Sequence, residues 1–263
     1  MDDSCECSLS DGQVAGFIED GFVRIDNAFA PELAAEARAI LCQAMGMSPD
    51  HPSGWTQPVV RLGLFTDPPF LAAATTPRLH AAYNALVGAG RWLAPSAIGT
   101  FPVRFPSPDD PGDTGWHVDM SFGTEDPDFM QWRINIVSRR RALLMLLLFS
   151  DVGEADAPTR IKIGSHQQIA RRLLPHGSAG LTLRELAADG FAECRNCPEA
   201  SAIGPAGTVY LCHPFLVHAA QAHHGTAPRF LAQPPLLPAH GFRPDLPASP
   251  VQLAIRQACG LPA

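Results

Sequence analysis

The chain has 263 residues, 46% of them hydrophobic and 17% charged, with a formal net charge of −7. A chain of that length can bury a sizeable core in one domain, and its composition excludes a disordered tail or a fibrous repeat. The acidic balance lacks the Lys/Arg footprint that neutralises phosphates, so no nucleic-acid partner is expected.

In chain order, Ser10 is placed to cap a helix running to about Asp20, with Val14, Phe17 and Ile18 on one stripe and Gly21 at a left-handed stop. Residues 22–25 read as a short strand. Pro31 opens a second helix, on which Leu33, Ala37, Ile40, Leu41 and Ala44 share a face before Gly46. Residues 48–69 are rich in Pro, Gly and polar groups and read as a long surface segment of the kind that often covers a site. Thr76-Pro77 starts a third helix carrying Leu79, Ala82, Tyr83 and Leu86, stopped by Gly88 and Gly90.

Beyond Trp92 the pattern changes to short β-rich runs at 98–105, 117–122, 142–149, 160–163, 207–212 and 229–233, separated by Pro, Gly and Asp. Many short strands with such punctuation favour a sandwich or jelly roll. Ser165 is placed to cap a helix through about 174, and Thr182 with Glu185 forms a capping-box spacing for another. Residues 251–258 can form a last helix in a Pro-rich tail. The whole chain, 1–263, reads as one domain: mostly helical support over 1–92, a β core over 93–238 and a C-terminal tail over 239–263.

The longest apolar run, 142–149, is far shorter than the ~20 residues that cross a bilayer, so it reads as a buried strand and no membrane partner is expected. The acidic start, Met1 to Cys5, has no apolar segment after a basic one, which suits a cytoplasmic location. Seven cysteines, an odd number scattered through a large chain, suit reduced thiols. Cys194 and Cys197 have a zinc-like spacing, but their only distant counterparts are Cys5 and Cys7, and they read as unpaired thiols in a loop.

The chemistry concentrates at Trp116-His117-Val118-Asp119-Met120. On a strand, His117 and Asp119 would point to the same face and could share one metal ion. A second imidazole is available downstream among His213, His218, His223 and His224, followed by Arg229. Two His and one carboxylate with open positions is the ligand set of non-haem Fe(II) oxygenases. The tripeptide alone is common and carries little; its position after the turn-rich stretch 107–115, near the rim of a β core, gives it weight.

The order of several segments resembles the phytanoyl-CoA dioxygenase family of Fe(II)/2-oxoglutarate oxygenases. The similar stretches are residues 13–23, Trp116 to Asp119, Ala157-Pro158-Thr159-Arg160 through Gly164-Ser165-His166, and His213 to His218 with Arg229 downstream. The resemblance implies a mainly β fold with flanking helices around a double-stranded β-helix, that is, a cupin-like jelly roll. It implies His117, Asp119 and His218 as iron ligands, with His213 as runner-up, and Arg229 as partner of the distal carboxylate of 2-oxoglutarate. The expected cofactors are Fe(II), 2-oxoglutarate and O₂. The expected reaction hydroxylates an unactivated carbon of a small-molecule metabolite and releases succinate and CO₂.

Relatives often carry Ser two positions and Asn five positions after the distal His, where this chain has Ala220 and His223. Arg104, Trp116, Met120, Trp132 and Asn135 flank the expected mouth and are candidate substrate contacts. Arg139-Arg140-Arg141 could hold a thioester's phosphates, but reads better as a solvated loop. Asp119 fills the position a halide would need, which argues against halogenation. The alternative function is a metal-binding jelly roll with a non-oxidative or ligand-binding role.

Overall fold

The computed structural model describes residues 8–48, 50–241 and 246–262; Cys5, Cys7 and the acidic start lie outside them. Helix α1 (Asp11–Asp20) begins with a reciprocal capping box between Ser10 and Gln13 and ends at Gly21, where φ is 88°. Gly21 is needed for space as well as conformation, because a Cβ there would lie 2.5 Å from His166 Nδ1. Strand β1 (Phe22–Ile25) follows, then α2 (Pro31–Met45), closed by Gly46. Residues 48–69 contain β2 (Val59–Leu62) and the start of α3 (Pro68–Ala74), so this stretch is only partly surface loop. Helix α4 (Pro77–Val87) is capped by the Thr76 side chain.

The strands of the core are β3 (Phe101–Arg104), β4 (Arg133–Ile134), β5 (Leu143–Leu148) and β6 (Arg160–Lys162), and, after α5 (Ser165–Leu173), β7 (Leu181–Thr182). Helix α6 (Leu183–Ala187) keeps the Thr182–Glu185 capping box. Then come β8 (Glu199–Ser201), β9 (Val209–Cys212), β10 (His218–Ala219), β11 (Leu231–Ala232), β12 (Pro235–Leu236) and the final helix α7 (Pro250–Ala258). Among the described residues no helix is long and apolar enough to cross a membrane.

Two antiparallel sheets form the core. The larger runs β1-β9-β5-β11, with β12 also on β5; the smaller runs β10-β6-β8. Strand β5 is buried along its whole length because both its faces are covered. Leu143, Met145 and Leu147 join the cluster made with α2, α3 and α4, whereas Leu144, Leu146 and Leu148 face Tyr210, Cys212, Ile161 and Leu216 between the sheets. This is a jelly roll with helices packed on its outer face. Strand β1 joins the larger sheet and β2 pairs with β3 in a separate two-stranded sheet, although both lie in the helix-rich first third.

Two local expectations change. Residues 117–122 do not make a continuous strand: His117 pairs with His218 and Phe122 with Arg133, so the segment leaves one partner for another and no ladder forms between. Ser165 does not cap α5. Gly164 holds the cap position, and Ser165, inside the helix, uses its hydroxyl to accept the Val217 N–H at 2.9 Å. His166 donates from Nε2 to the Ile18 carbonyl at 3.0 Å. The Gly-Ser-His segment thus ties α1 and α5 to the residue that precedes His218.

Candidate active site

Reciprocal backbone hydrogen bonds of 2.9 Å join His117 to His218 across the smaller sheet. They bring the two rings to 4.3 Å between centroids. Asp119 lies beside them, and one donor atom from each of the three residues falls within 4.8 Å of the others; among the described residues no other His/Cys/Asp/Glu group does so. Each ring is oriented by its own chain: His117 Nδ1 lies 3.0 Å from the Gly115 carbonyl and His218 Nδ1 3.0 Å from the Leu216 carbonyl. A carbonyl can only accept, so Nδ1 carries the proton and each Nε2 presents a lone pair. Burial, then the neighbouring His117, lowers the His218 pKa to about 4, which keeps that ring neutral and able to ligate.

Asp119 is held by a residue outside the expected site. Arg141 Nη1 donates to Asp119 Oδ2 at 3.0 Å, while Asp119 Oδ1 faces His218 Nε2 at 3.8 Å. Burial acts to raise the Asp119 carboxyl, but Arg141 and then the two imidazoles outweigh it and hold it below the usual carboxylate range. Arg141 also donates to the Met120 carbonyl. The triple-arginine run is therefore solvated only at Arg139 and Arg140; Arg141 turns inward because Asp119 offers it a partner. Two imidazole nitrogens and one carboxylate oxygen form a donor set that fits Fe(II).

Two cavities meet at this cluster. The smaller, of about 230 Å³, is lined by Arg104, Arg229, Asp113, Thr100, Thr159 and Gln233, with Ala220 and His117 in its wall. Arg104 and Arg229 are 2% and 1% exposed, and their backbones pair with each other. Arg229 donates to the Ala157 and Pro102 carbonyls and its Nε has no partner among the described residues. Burial, then Arg104, lowers its pKa to about 9. Arg104 binds Asp113 at 2.7 Å through Nη2 and leaves Nε and Nη1 without partners. Two buried cations with three orphaned donors against one carboxylate fit a small dianion such as 2-oxoglutarate. Arg104 lines this cavity and does not line the larger one.

The larger cavity, of about 700 Å³, shares Thr100, Asp113, His117 and Gln233 with the first and extends over Trp116, Met120, Phe129, Met130, Trp132 and Leu183. Trp116, Met120 and Trp132 line this cavity. Asn135 does not: it is 1% exposed, with its amide donating to the Ser178 carbonyl and its oxygen accepting the Arg139 N–H, so it braces a loop. His213 also stands apart from the triad. It is buried against His166 and Phe215, and its Nδ1 accepts the Phe215 N–H. Cys194 and Cys197 are free thiols.

The family profile described as phytanoyl-CoA dioxygenase matches residues 17–231. No curated protein sequence matches the chain. Among solved structures, the chain is similar to SnoK, a non-heme alpha-ketoglutarate-dependent carbocyclase from nogalamycin biosynthesis, at 18% identity and a TM-score of 0.60, covering 90% of this chain and 87% of that one. It is similar to HygX from Streptomyces hygroscopicus with nickel and 2-oxoglutarate bound, at 19% identity and a TM-score of 0.55, covering 86% of each chain. It is also similar to EctD from S. alaskensis with 2-oxoglutarate and 5-hydroxyectoine, at 19% identity and a TM-score of 0.55, covering 87% and 75%. At such identities these likenesses carry the fold, which is that of cupin-like oxygenases.

Proposed function

The chain belongs to the phytanoyl-CoA dioxygenase family of Fe(II)- and 2-oxoglutarate-dependent oxygenases, and from that premise we propose that it hydroxylates an unactivated carbon of a small-molecule metabolite. The observation that carries this reading is the junction of the two cavities at His117, with Asp119 and His218 beside it. When bound, iron with 2-oxoglutarate and O₂ supplies the oxidant for C–H cleavage, and succinate and CO₂ are released.

The residues divide the work. His117 and His218 ligate through Nε2 while their Nδ1–H groups stay on backbone carbonyls. Asp119 ligates through the oxygen that Arg141 does not occupy, so the guanidinium orients the carboxylate and keeps it ionised. Arg229 holds the distal carboxylate of 2-oxoglutarate, aided by Arg104, and the burial of both guanidinium groups strengthens such a charge-assisted contact. Thr100, Thr159 and Gln233 bring hydroxyl and amide groups to the same wall, in place of the hydroxyl that Ala220 lacks. The walls of the larger cavity orient the target carbon and exclude water.

The test is release of succinate from 2-oxoglutarate by the Fe(II)-loaded protein against a panel of metabolites, with His218→Ala as control. Succinate formed in step with a hydroxylated product is expected. A chlorinated product in place of the alcohol, or metal binding with no succinate from any mixture, would displace this reading in favour of halogenation or a non-oxidative role.

A further inference from the structure

The larger cavity offers a substrate no unpaired charge. Its ionic lining is Asp113, Asp119, Arg141 and the ligand His117. Asp113 is taken by Arg104 and Arg61, and Asp119 by Arg141. Arg141 Nη1 and Nη2 are directed at Asp119 and the Met120 carbonyl, and its Nε, like Asp113 Oδ1, is buried away from the cavity without a partner among the described residues. A charged substrate would therefore lose its hydration without gaining a counter-charge, which costs several kcal/mol.

The rest of the wall is built for apolar contact. Met120 and Met130 bring flexible thioethers that adapt to irregular shapes. Trp116 is held from one side by Arg160 and Lys162, whose cations sit 4.6 and 4.5 Å from its ring centroid. Trp132 has already committed its indole N–H to the Asp126 carbonyl at 2.7 Å, leaving the cavity its hydrocarbon surface. Leu64 and Phe129, also in the lining, are 72% and 58% exposed, which is costly for large apolar side chains unless something covers them.

We propose that the substrate is a neutral, predominantly apolar molecule of drug-like size, recognised by shape and apolar burial, and covered at the mouth by Leu64 and Phe129. This rests on the oxygenase reading of the site. It excludes acyl-coenzyme A thioesters, aminoglycosides and zwitterionic solutes as the molecules this cavity takes, because each carries charges that nothing in the wall can meet.

The test uses the full chain loaded with Ni(II), which does not turn over, and 2-oxoglutarate. Binding of dehydroepiandrosterone and of its 3-sulfate, which share one ring skeleton and differ by a single anionic group, is followed by tryptophan fluorescence and calorimetry. The neutral steroid should bind at least ~10-fold more tightly than the sulfate. Leu64→Asp and Phe129→Asp, both at exposed positions, should weaken the neutral probe ~10-fold or more and leave Ni(II) and 2-oxoglutarate binding unchanged. Equal or tighter binding of the sulfate, unaltered binding by the rim variants, or no binding of the neutral steroid up to its solubility limit overturns the proposal. Loss of Ni(II) or 2-oxoglutarate binding in the parent protein is a different result, and it overturns the oxygenase assignment of the site instead.

Discussion

The two cavities that meet at His117 are built on opposite principles. The smaller confines two fully buried guanidinium groups in about 230 Å³, and the larger spreads aromatic and thioether side chains over about 700 Å³ with its charges paired off. A cation in a tight, low-dielectric space discriminates strongly between anions and everything else, and tolerates little variation in shape. An apolar wall discriminates by volume and contour, at roughly 25 cal/mol per Å² covered. On the proposed reading, the difference assigns the constant molecule, the cosubstrate, to selection by charge and the variable partner to selection by fit.

The comparison breaks most completely at the shared wall. His117→Ala or His218→Ala should abolish both stoichiometric Fe(II) binding and turnover, since two remaining ligands hold a labile metal poorly; anaerobic titration with 2-oxoglutarate present measures this. His213→Ala should retain the metal, because its ring nitrogens are engaged with backbone. The reverse result would move the ligand set. Arg229→Ala attacks the charged side alone. Its expected cost of about 3–5 kcal/mol should raise the apparent 2-oxoglutarate constant by orders of magnitude at nearly unchanged Fe(II) affinity. Arg229→Lys should recover only part, as a point charge replaces a planar fork. An unchanged constant in Arg229→Ala would transfer the role to Arg104 and its two orphaned donors.

Arg141 sharpens the contrast, because its positive charge lines the apolar cavity yet is directed at Asp119. Arg141→Met should weaken metal binding about 10–100-fold without altering 2-oxoglutarate affinity in the metal-loaded protein; competition with a metal-sensitive dye reads the first and calorimetry the second. A last effect lies outside both cavities and leaves the chemistry untouched. Burial lowers the His166 pKa to about 4 from an ordinary 6.5. Between those values the unfolded chain takes up a proton that the folded one refuses, so stability is complete above pH 6.5 and falls as the pH drops toward 4. The slope is at most about 1.4 kcal/mol per pH unit. Urea midpoints of His166→Asn should fall less steeply over that window.

What the sequence made legible was whatever its chemistry writes locally. The cap at Ser10, the capping box at Thr182 and the glycine stops at Gly21 and Gly46 need only a few neighbouring residues, and each is where the spacing puts it. His117, Asp119 and His218 were readable as residue types in a characteristic order. Arg141 was not, because its meaning is a carboxylate met through folding, and in one dimension a triple-arginine run looks like a solvated loop. That Arg104 and Asn135 do not line the larger cavity was not legible for a similar reason: proximity to the mouth in sequence does not say which space a side chain reaches. The two-residue strands β4, β7 and β10 are too short to show any periodicity; β4 and β7 pair with each other, and β10 with β6.

The His117–His218 bridge sets a condition on when the site can exist. The two segments meet only after the chain between them has folded back, and closing a loop of roughly a hundred residues is entropically opposed until native contacts compensate. A chain still being synthesised, with β10 not yet emerged, carries one imidazole and one carboxylate and nothing to complete them. With His117, Asp119 and His218 as ligands, the metal therefore binds the closed jelly roll and not its precursors. By mass action it then adds about 2.7 kcal/mol of stability at a free concentration one hundred times its dissociation constant. On that ligand set iron would act as a latch on the finished fold, and scarcity of the metal should shorten the lifetime of the protein as well as silence it.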